Sequence, residues 1–298
     1  MTAAPQRTTT AGPDSTAPQR ASAPPGPSAA ASQRTTTAGP DTAPWGTDPY
    51  ADALRNGHGP LFLRRTDGWL LPLDVERWCA GADAADRSAL RRCEGPVLDI
   101  GCGPGRLVAE LAARGHRALG IDVSEAAVAR TLRTGGSALR RSVFEPLPGE
   151  GRWGTVLLLD GNIGIGGDPR RLLDRAAGLL APGGLLIAET VAQDIDERVR
   201  VHLDDGRRTG PSPHGARPAA GEPFPWARLG TPALLRHAGR RGWQRVGQWE
   251  AGGRPFVVLR RPLNVLTASQ SADTANSAAV ISSQFPRNTS GECPLAGA

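Results

Sequence analysis

"PVLDIGCGPGRLVAELAARG", residues 96–115, joins an apolar run, a carboxylate, three glycines at alternate positions and a helical pattern in one short stretch. Val97, Leu98 and Ile100 read as a strand buried on both faces, as strands of a parallel sheet are. Pro104 suits a first helical turn, Val108, Leu111 and Ala112 share one helical face, and Gly115 ends the helix. Gly101, Gly103 and Gly105 allow the backbone to come close to a ligand, and the helix-opening amides behind them favour partial negative charge. Asp99, two residues before the first glycine, decides which ligand. It would repel the pyrophosphate of a dinucleotide and favour a ligand that carries an ammonium group and no phosphate.

Outward from this stretch, short apolar runs alternate with helical patterns, the signature of a parallel sheet covered on both faces. "RALGID" (117–122) is a second strand, and Ser124 caps a helix of about 125–133. Third, fourth and fifth strands fit "LRRSVF" (139–144), "TVLLLD" (155–160) and "LLIAE" (185–189). Between the last two, Asp168 and Pro169 open a helix through Leu180, and "APGG" turns the chain. A helix from Thr231 and Pro232 to near Gly242 precedes "WQRVGQWEA" and "RPFVVLRR", joined by two glycines. So short a connection makes a hairpin, and the last strand then runs antiparallel. The expected fold is α/β: a doubly wound, seven-stranded, mostly parallel sheet with an antiparallel last strand.

Three further segments flank the sheet. "LFLRRTDGWLLPL" (61–73) reads as a hairpin about "TDG", "DVERWCAGADAADRSALRR" (74–92) as a helical stretch, and "RVRVHLDDGRRTG" (198–210) as a hairpin with "DDG" at its tip. The domain expected is 46–263, comprising an N-terminal cover (46–95), a ligand-binding half (96–190) and a segment with the hairpin insertion and last strands (191–263). Residues 1–45 are mostly Ala, Pro, Ser, Thr, Gln and Gly and carry "QRTTTAGPD" twice, at 6–14 and 33–41. They and the polar residues 264–298 cannot bury enough apolar surface to offset chain entropy, and are expected to be disordered tails.

The formal charge of +6 resides in the central domain, because the N-terminal tail contributes +1 and the C-terminal tail −1. The basic groups are all Arg, often in doublets such as Arg64–Arg65 and Arg140–Arg141, scattered over many elements. That scatter reads as a solvated surface and argues against a nucleic-acid face, which would gather the charges and interleave aromatics. The four Cys show neither CxxC nor Cys/His spacing, so neither a structural metal nor a disulfide framework is expected. No apolar run approaches the roughly 20 residues of a membrane helix, and no signal-peptide core opens the chain. A cytoplasmic location, with no membrane partner, is the expectation.

Asp122 ends the second strand, 17 residues after Gly105, where a carboxylate can accept hydrogen bonds from both ribose hydroxyls. A ligand with a free ribose, an amino-acid end and a cationic sulfonium, S-adenosylmethionine, meets the demands of both Asp99 and Asp122. The residues resemble the class I S-adenosylmethionine-dependent methyltransferases: "VLDIGCGPG" (97–105) is similar to that family's first motif, "GIDVS" (120–124) to its second and "LLAPGGLLIAE" (179–189) to its fifth-strand signature. The resemblance covers 95–190 and extends to 261. It implies that Asp99, Gly101, Cys102, Gly103 and Gly105 hold the methionine portion, Asp122 the ribose, that Val123 flanks the adenine, and that Asp160 and Gly161 lie beneath the sulfonium. Ser142 stands where the family often has an acid for the adenine amino group; Val143 and Phe144 offer apolar contact there.

The implied reaction is direct in-line methyl transfer to a small-molecule acceptor. "LDGNIGIGGDP" (159–169) is either a loop shaped around that acceptor, with Asp160 or Asn162 orienting the nucleophile, or a tight connection before the Asp168 cap. His202, on the expected 198–210 hairpin, is a candidate general base. Tyr50 belongs either to packing or to a helix covering the cofactor, and Trp69, Trp78 and Trp226 to core or cover. Two other classes fit the same residues: a methyltransferase acting on RNA or protein, and a cofactor-binding module without activity.

Overall fold

The computed structural model describes residues 49–206 and 222–261. The expected tails, and residues 207–210 of the expected hairpin, lie outside the described residues. The chain opens with helix α1 (Tyr50–Asn56), the hairpin of β1 (Phe62–Arg65) and β2 (Leu70–Pro72), and helices α2 (Val75–Cys79) and α3 (Ala84–Leu90). The β1–β2 hairpin turns where "TDG" indicates: the Gly68 amide donates to the Arg65 carbonyl, with Gly68 at φ +90°. Residues 74–92, expected as one helical stretch, form two helices. Asp83 caps the second, accepting from the Asp86 amide while Asp86 accepts from the Asp83 amide, and this reciprocal cap outcompetes continuation through Ala80–Ala82.

The alternating half follows: β3 (Val97–Ile100), α4 (Arg106–Ala113), β4 (Ala118–Asp122), α5 (Glu125–Arg133), β5 (Ala138–Arg140), β6 (Trp153–Leu158), a single 3-10 turn (Asn162–Gly164), α6 (Pro169–Leu179) and β7 (Leu180–Glu189). The chain ends with β8 (Asp196–Asp204), β9 (Phe224–Leu229), α7 (Thr231–Gly239), β10 (Gln244–Ala251) and β11 (Arg254–Arg260). Helix α4 begins at Arg106, because Gly105 at φ +89° occupies its N-cap; Pro104 therefore precedes the helix instead of opening it. The third strand is also shorter than expected, leaving the sheet after Arg140, so Ser142, Val143 and Phe144 lie in the turn beyond it. The "APGG" segment interrupts β7: pairing with β6 jumps from Trp153–Leu180 to Thr155–Leu185.

Seven strands form the main sheet in the order β10-β11-β7-β6-β3-β4-β5. The pairs from β5 to β7 are parallel, and β11 runs antiparallel to both neighbours. Period-two alternation sends Leu98, Ile100, Val156, Leu158, Leu186, Val257 and Leu259 into one core with α6 and α7. Val97, Leu157, Leu159, Leu185, Ile187, Phe256 and Val258 enter another with α3 and α4. Each fully buried Leu, Ile or Phe side chain contributes about 1.5–3 kcal/mol relative to exposure. The order of strands reverses between β3 and β6, and crevices at such a reversal are where open α/β sheets bind ligands.

A second, four-stranded sheet, β2-β1-β8-β9, is antiparallel throughout. Residues 198–203, the first arm of the expected hairpin, lie in strand β8, and the chain turns at "DDG", where the Gly206 amide donates to Oδ1 of Asp204 at 2.7 Å; the partners of β8 are β1 on one side and β9 on the other. One face of this sheet carries Leu63, Leu71, Val201, Leu203, Phe224 and Trp226, and buries them with Tyr50, Leu54 and Val75. Thus the N-terminal cover and the hairpin insertion form one structure, roofing the carboxyl ends of the parallel strands.

Candidate active site

The glycine loop is held by its own amides. Gly101 and Cys102 donate to the Ile121 carbonyl at 2.9 and 3.0 Å, Gly105 to the Cys102 carbonyl at 3.1 Å, and Gly103 to Oδ2 of Asp122 at 2.9 Å. Pro104 has no amide proton, so the 101–105 backbone offers a diphosphate no nest of donors. Selectivity against a pyrophosphate therefore rests on spent donors as well as on the neighbouring carboxylates. All three glycines have positive φ. A Cβ on Gly101 would fall 2.6 Å from Nδ2 of Asn162, and on Gly105 2.4 Å from Oγ1 of Thr131, whereas on Gly103 it would meet only the Tyr50 hydroxyl, at 3.6 Å. Gly101 and Gly105 serve the loop's packing; Gly103 borders open space.

Asp122 ends β4, and its carboxylate also accepts from the Ser124 amide at 2.8 Å, which ties the glycine loop to the start of α5. Burial pushes its carboxyl up to about 6, against the backbone donors that favour the ionised form. Asp99 is 1% exposed, lies beneath the loop, and its Oδ2 has no partner among the described residues. Burial, only partly opposed by Arg106, pushes it up to about 7. The carboxyl group that the sequence offers to the ligand is thus buried beneath the loop and out of the cavity.

Asp160 follows β6 with φ +57°, the left-handed conformation that residues other than glycine seldom adopt. Three arginines converge on it: Nη1 of Arg77 donates to Oδ1 at 2.8 Å, Nη1 of Arg106 to Oδ2 at 2.7 Å, and Nη2 of Arg254 to Oδ1 at 3.3 Å. The Asp160 amide donates to Oε2 of Glu189 at 2.8 Å. Arg106 and Arg254 also bond Asp86, and Arg254 bonds Glu189. Arg106 and Asp86 are almost wholly buried, and the network satisfies both. The arginines hold the Asp160 carboxyl below the usual range despite burial. A carboxylate so committed is a poor proton acceptor, and its bonds tie the 159–169 loop to α2, α4 and β11. Asn162 likewise gives its Nδ2 to the Ile100 and Gly101 carbonyls, each at 2.9 Å.

Two cavities meet above these groups. The first, about 860 Å³ with the solvent at its mouth included, is lined among others by Tyr50, Trp78, Gly101, Cys102, Gly103, Arg106, Asp122, Val123, Ser142, Val143, Asp160 and Asn162. The second, about 470 Å³ on the same measure, lies beneath the second sheet and is lined by Leu63, Leu71, Ile163, Val191, Leu229, Gly161, Glu189, Thr190 and Arg228 among others. Leu73, Asp160 and Trp226 line both.

The structure therefore brings most of the residues expected from sequence to one place, with four exceptions. Asp99, Gly105, Phe144 and His202 line neither cavity. Phe144 packs instead against Gly166 and beneath the Arg171 guanidinium. His202 pairs with Arg64 across β1 and β8 on the face opposite Val201 and Leu203, so alternation turns it away from the site. Tyr50 and Trp78, edge to face at 6.5 Å, roof the first cavity. Arg77, Arg106, Arg254 and Asp86 were not singled out from sequence; the position of Arg106 directly after the last loop glycine was the one local signal. Among the described residues no group of three or more His, Cys, Asp or Glu is arranged to hold a metal, and no helix is long and apolar enough to cross a membrane.

The cradle suits S-adenosylmethionine. It has an open edge at Gly103, a carboxylate at the tip of β4, an unpartnered Trp78 Nε1 among the described residues, and loop amides already bonded within the fold. No curated protein matches the sequence. Among solved structures, an S-adenosylmethionine-dependent methyltransferase from Bacteroides fragilis, in complex with S-adenosyl-L-homocysteine, superposes with TM-score 0.59 at 19% identity, over 76% of this chain and 98% of its own. The 1,6-didemethyltoxoflavin-N1-methyltransferase of Burkholderia thailandensis gives 0.44 at 19% identity, over 60% and 79%. The CcbJ methyltransferase of Streptomyces caelestis gives 0.44 at 18%, over 62% and 92%. A family model described as a methyltransferase domain matches residues 76–230, from α2 through the whole glycine loop to the end of β9. With that match and this strand order, the chain belongs to the methyltransferase domain family and is built as a class I S-adenosylmethionine-dependent methyltransferase.

Proposed function

We propose that the acceptor of this S-adenosylmethionine-dependent methyltransferase is a small molecule, held in the second cavity. The observation that carries this reading is the shared wall of Leu73, Asp160 and Trp226: a cavity suited to the cofactor opens against a smaller, mostly apolar one. The second sheet roofs that smaller space, which favours a molecule that can be enclosed over an RNA or a protein segment. When bound, the cofactor supplies an electrophilic methyl group on sulfur; the acceptor's lone pair bonds its carbon as the carbon–sulfur bond breaks, and S-adenosylhomocysteine leaves.

In this reading the 101–105 loop holds the methionine portion and Asp122 takes the ribose hydroxyls. Val123 and Val143 flank the adenine, and Ser142 faces its edge. The Asp160 network fixes the floor between the cavities. Among the described residues no histidine lines either cavity, and Asp160 is committed to its arginines, so what the described residues offer the reaction is alignment of the reactants and exclusion of water. Alignment of that kind is worth up to about 7–11 kcal/mol. It serves an acceptor whose nucleophile already has its lone pair free, a neutral amine or an ionised oxygen, with any proton passing to solvent.

The test is turnover of methyl-labelled cofactor with a cell extract split by size. Label is expected in the small-molecule fraction. Label confined to macromolecules would overturn the proposal, and label in neither fraction despite tight cofactor binding would favour a module without activity.

A further inference from the structure

Among the described residues, the first cavity offers a ligand one uncommitted cation. Two arginines line it, Arg106 and Arg141. Arg106 is buried and gives its guanidinium to Asp86 and Asp160. Arg141 is exposed, and its side chain makes no hydrogen bond or ion pair with the described residues. Its backbone is held: the Arg141 amide donates to the Asp122 carbonyl at 3.0 Å, which sets the residue beside the tip of β4 and directly before Ser142. Its neighbour Arg140 is engaged elsewhere, giving Nε to the Val123 carbonyl at 3.2 Å and pairing with Glu125. The acceptor side chains at this end are already in use. Asp122 accepts from the Gly103 and Ser124 amides, the Ser142 hydroxyl oxygen from the Phe144 amide at 3.3 Å, and Glu145 from the Ser142 amide at 2.7 Å.

We infer that Arg141 reads the purine base of the cofactor, donating to N7 and to the substituent at position 6, so that the site takes a 6-oxopurine as well as adenine. The inference rests on the placement of the base between Val123 and Val143 and adds what its edge meets. A guanidinium only donates, and its planar fork matches two acceptors side by side. A 6-oxopurine presents such a pair, O6 and N7, the edge that arginine reads most often in DNA; adenine presents N7 beside an amino group that is itself a donor. That amino group calls for an acceptor, and the side-chain acceptors here are engaged within the fold. Arg141 is thus a specificity-determining residue for the base, remote from the methyl group.

Calorimetric titration of the full chain with S-adenosylhomocysteine and with S-inosylhomocysteine, its 6-oxo counterpart, tests it. The wild-type protein is expected to bind the two within about tenfold of each other. Arg141→Met should weaken S-inosylhomocysteine about tenfold, as losing a charged hydrogen bond does, and S-adenosylhomocysteine less, moving the ratio of the two affinities at least about threefold toward the adenine ligand. Both ligands are measured on the same protein, so a variant that folds less completely leaves that ratio unchanged. A wild-type preference for S-adenosylhomocysteine beyond about tenfold, or a ratio that moves less than about threefold in Arg141→Met, would overturn the inference. Failure of the wild-type protein to bind either ligand would instead overturn the reading on which it rests.

Discussion

Gly103 and Gly105 differ in what a side chain would meet, and the difference separates binding from folding. Valine at 103 enters open cavity space beside Tyr50, whereas at 105 it collides with buried Thr131. Gly103→Val is therefore expected to fold, with backbone strain of about 1–3 kcal/mol, and to lose S-adenosylhomocysteine binding in calorimetry. Gly105→Val should instead lower the melting temperature sharply. Equal melting temperatures would contradict this division of roles. The two buried carboxyls give a second prediction. Asp122 and Asp99 have folded-state values of about 6 and about 7 against an ordinary 3.8. Their contribution to stability is complete below pH 3.8 and is lost as pH rises through those values. Asp86 and Asp160 are shifted downward, so what they contribute is lost only in acid below 3.8 and does not change between pH 5 and 8. Melting temperature should fall from pH 5 to pH 8, and Asp99→Asn should flatten the fall above pH 6. An unchanged slope in that variant would show that Asp99 ionises as freely in the fold as in the open chain.

Between β6 and α6, one connection determines whether the floor of the site exists. Asp160 is there the common partner of arginines from α2, α4 and β11. Asp160→Ala would leave those cations facing one another, with Asp86, Glu189 and Asp83 beside Arg106 and Arg254 and Asp74 beside Arg77 as their remaining near partners. Removing one member of such a buried pair costs about 3–5 kcal/mol, and urea unfolding should show a loss of that size. A loss below 1 kcal/mol would mean that solvent already screens the cluster. The sequence made the strand–turn–helix and the Asp168 cap legible, because they depend on near neighbours. It left Asp160 open between two roles, because its partners lie 54, 83 and 94 residues away in the chain. The same distance rule explains residues 198–204. "DDG" is a sound local turn signal and β8 ends there, but the pairing of β8 with β1 joins segments far apart in the chain, and nothing within 198–204 announces that partner.

Across the whole molecule, the parallel sheet was the most legible feature, since its strands are buried on both faces and their apolar runs need no partner to be recognised. The seven-stranded, doubly wound sheet followed from the alternation of apolar runs with helical patterns, and the antiparallel β11 from a two-glycine link too short for a crossover. The second sheet was not legible. Its β1 and β8 are joined by pairs such as Arg64–His202, far apart in the chain, and nothing within either segment announces the other. Its consequence is functional, for it encloses the smaller cavity and turns His202 outward. What holds these scales together is a glycine loop whose amides are already used and whose neighbours are carboxylates, a site for an amino-acid nucleoside and not for a diphosphate. Calorimetric titration of the same protein with S-adenosylhomocysteine and with NADH tests this most directly. Tight binding of the first and none of the second is expected; tight binding of NADH with no heat from S-adenosylhomocysteine would contradict it.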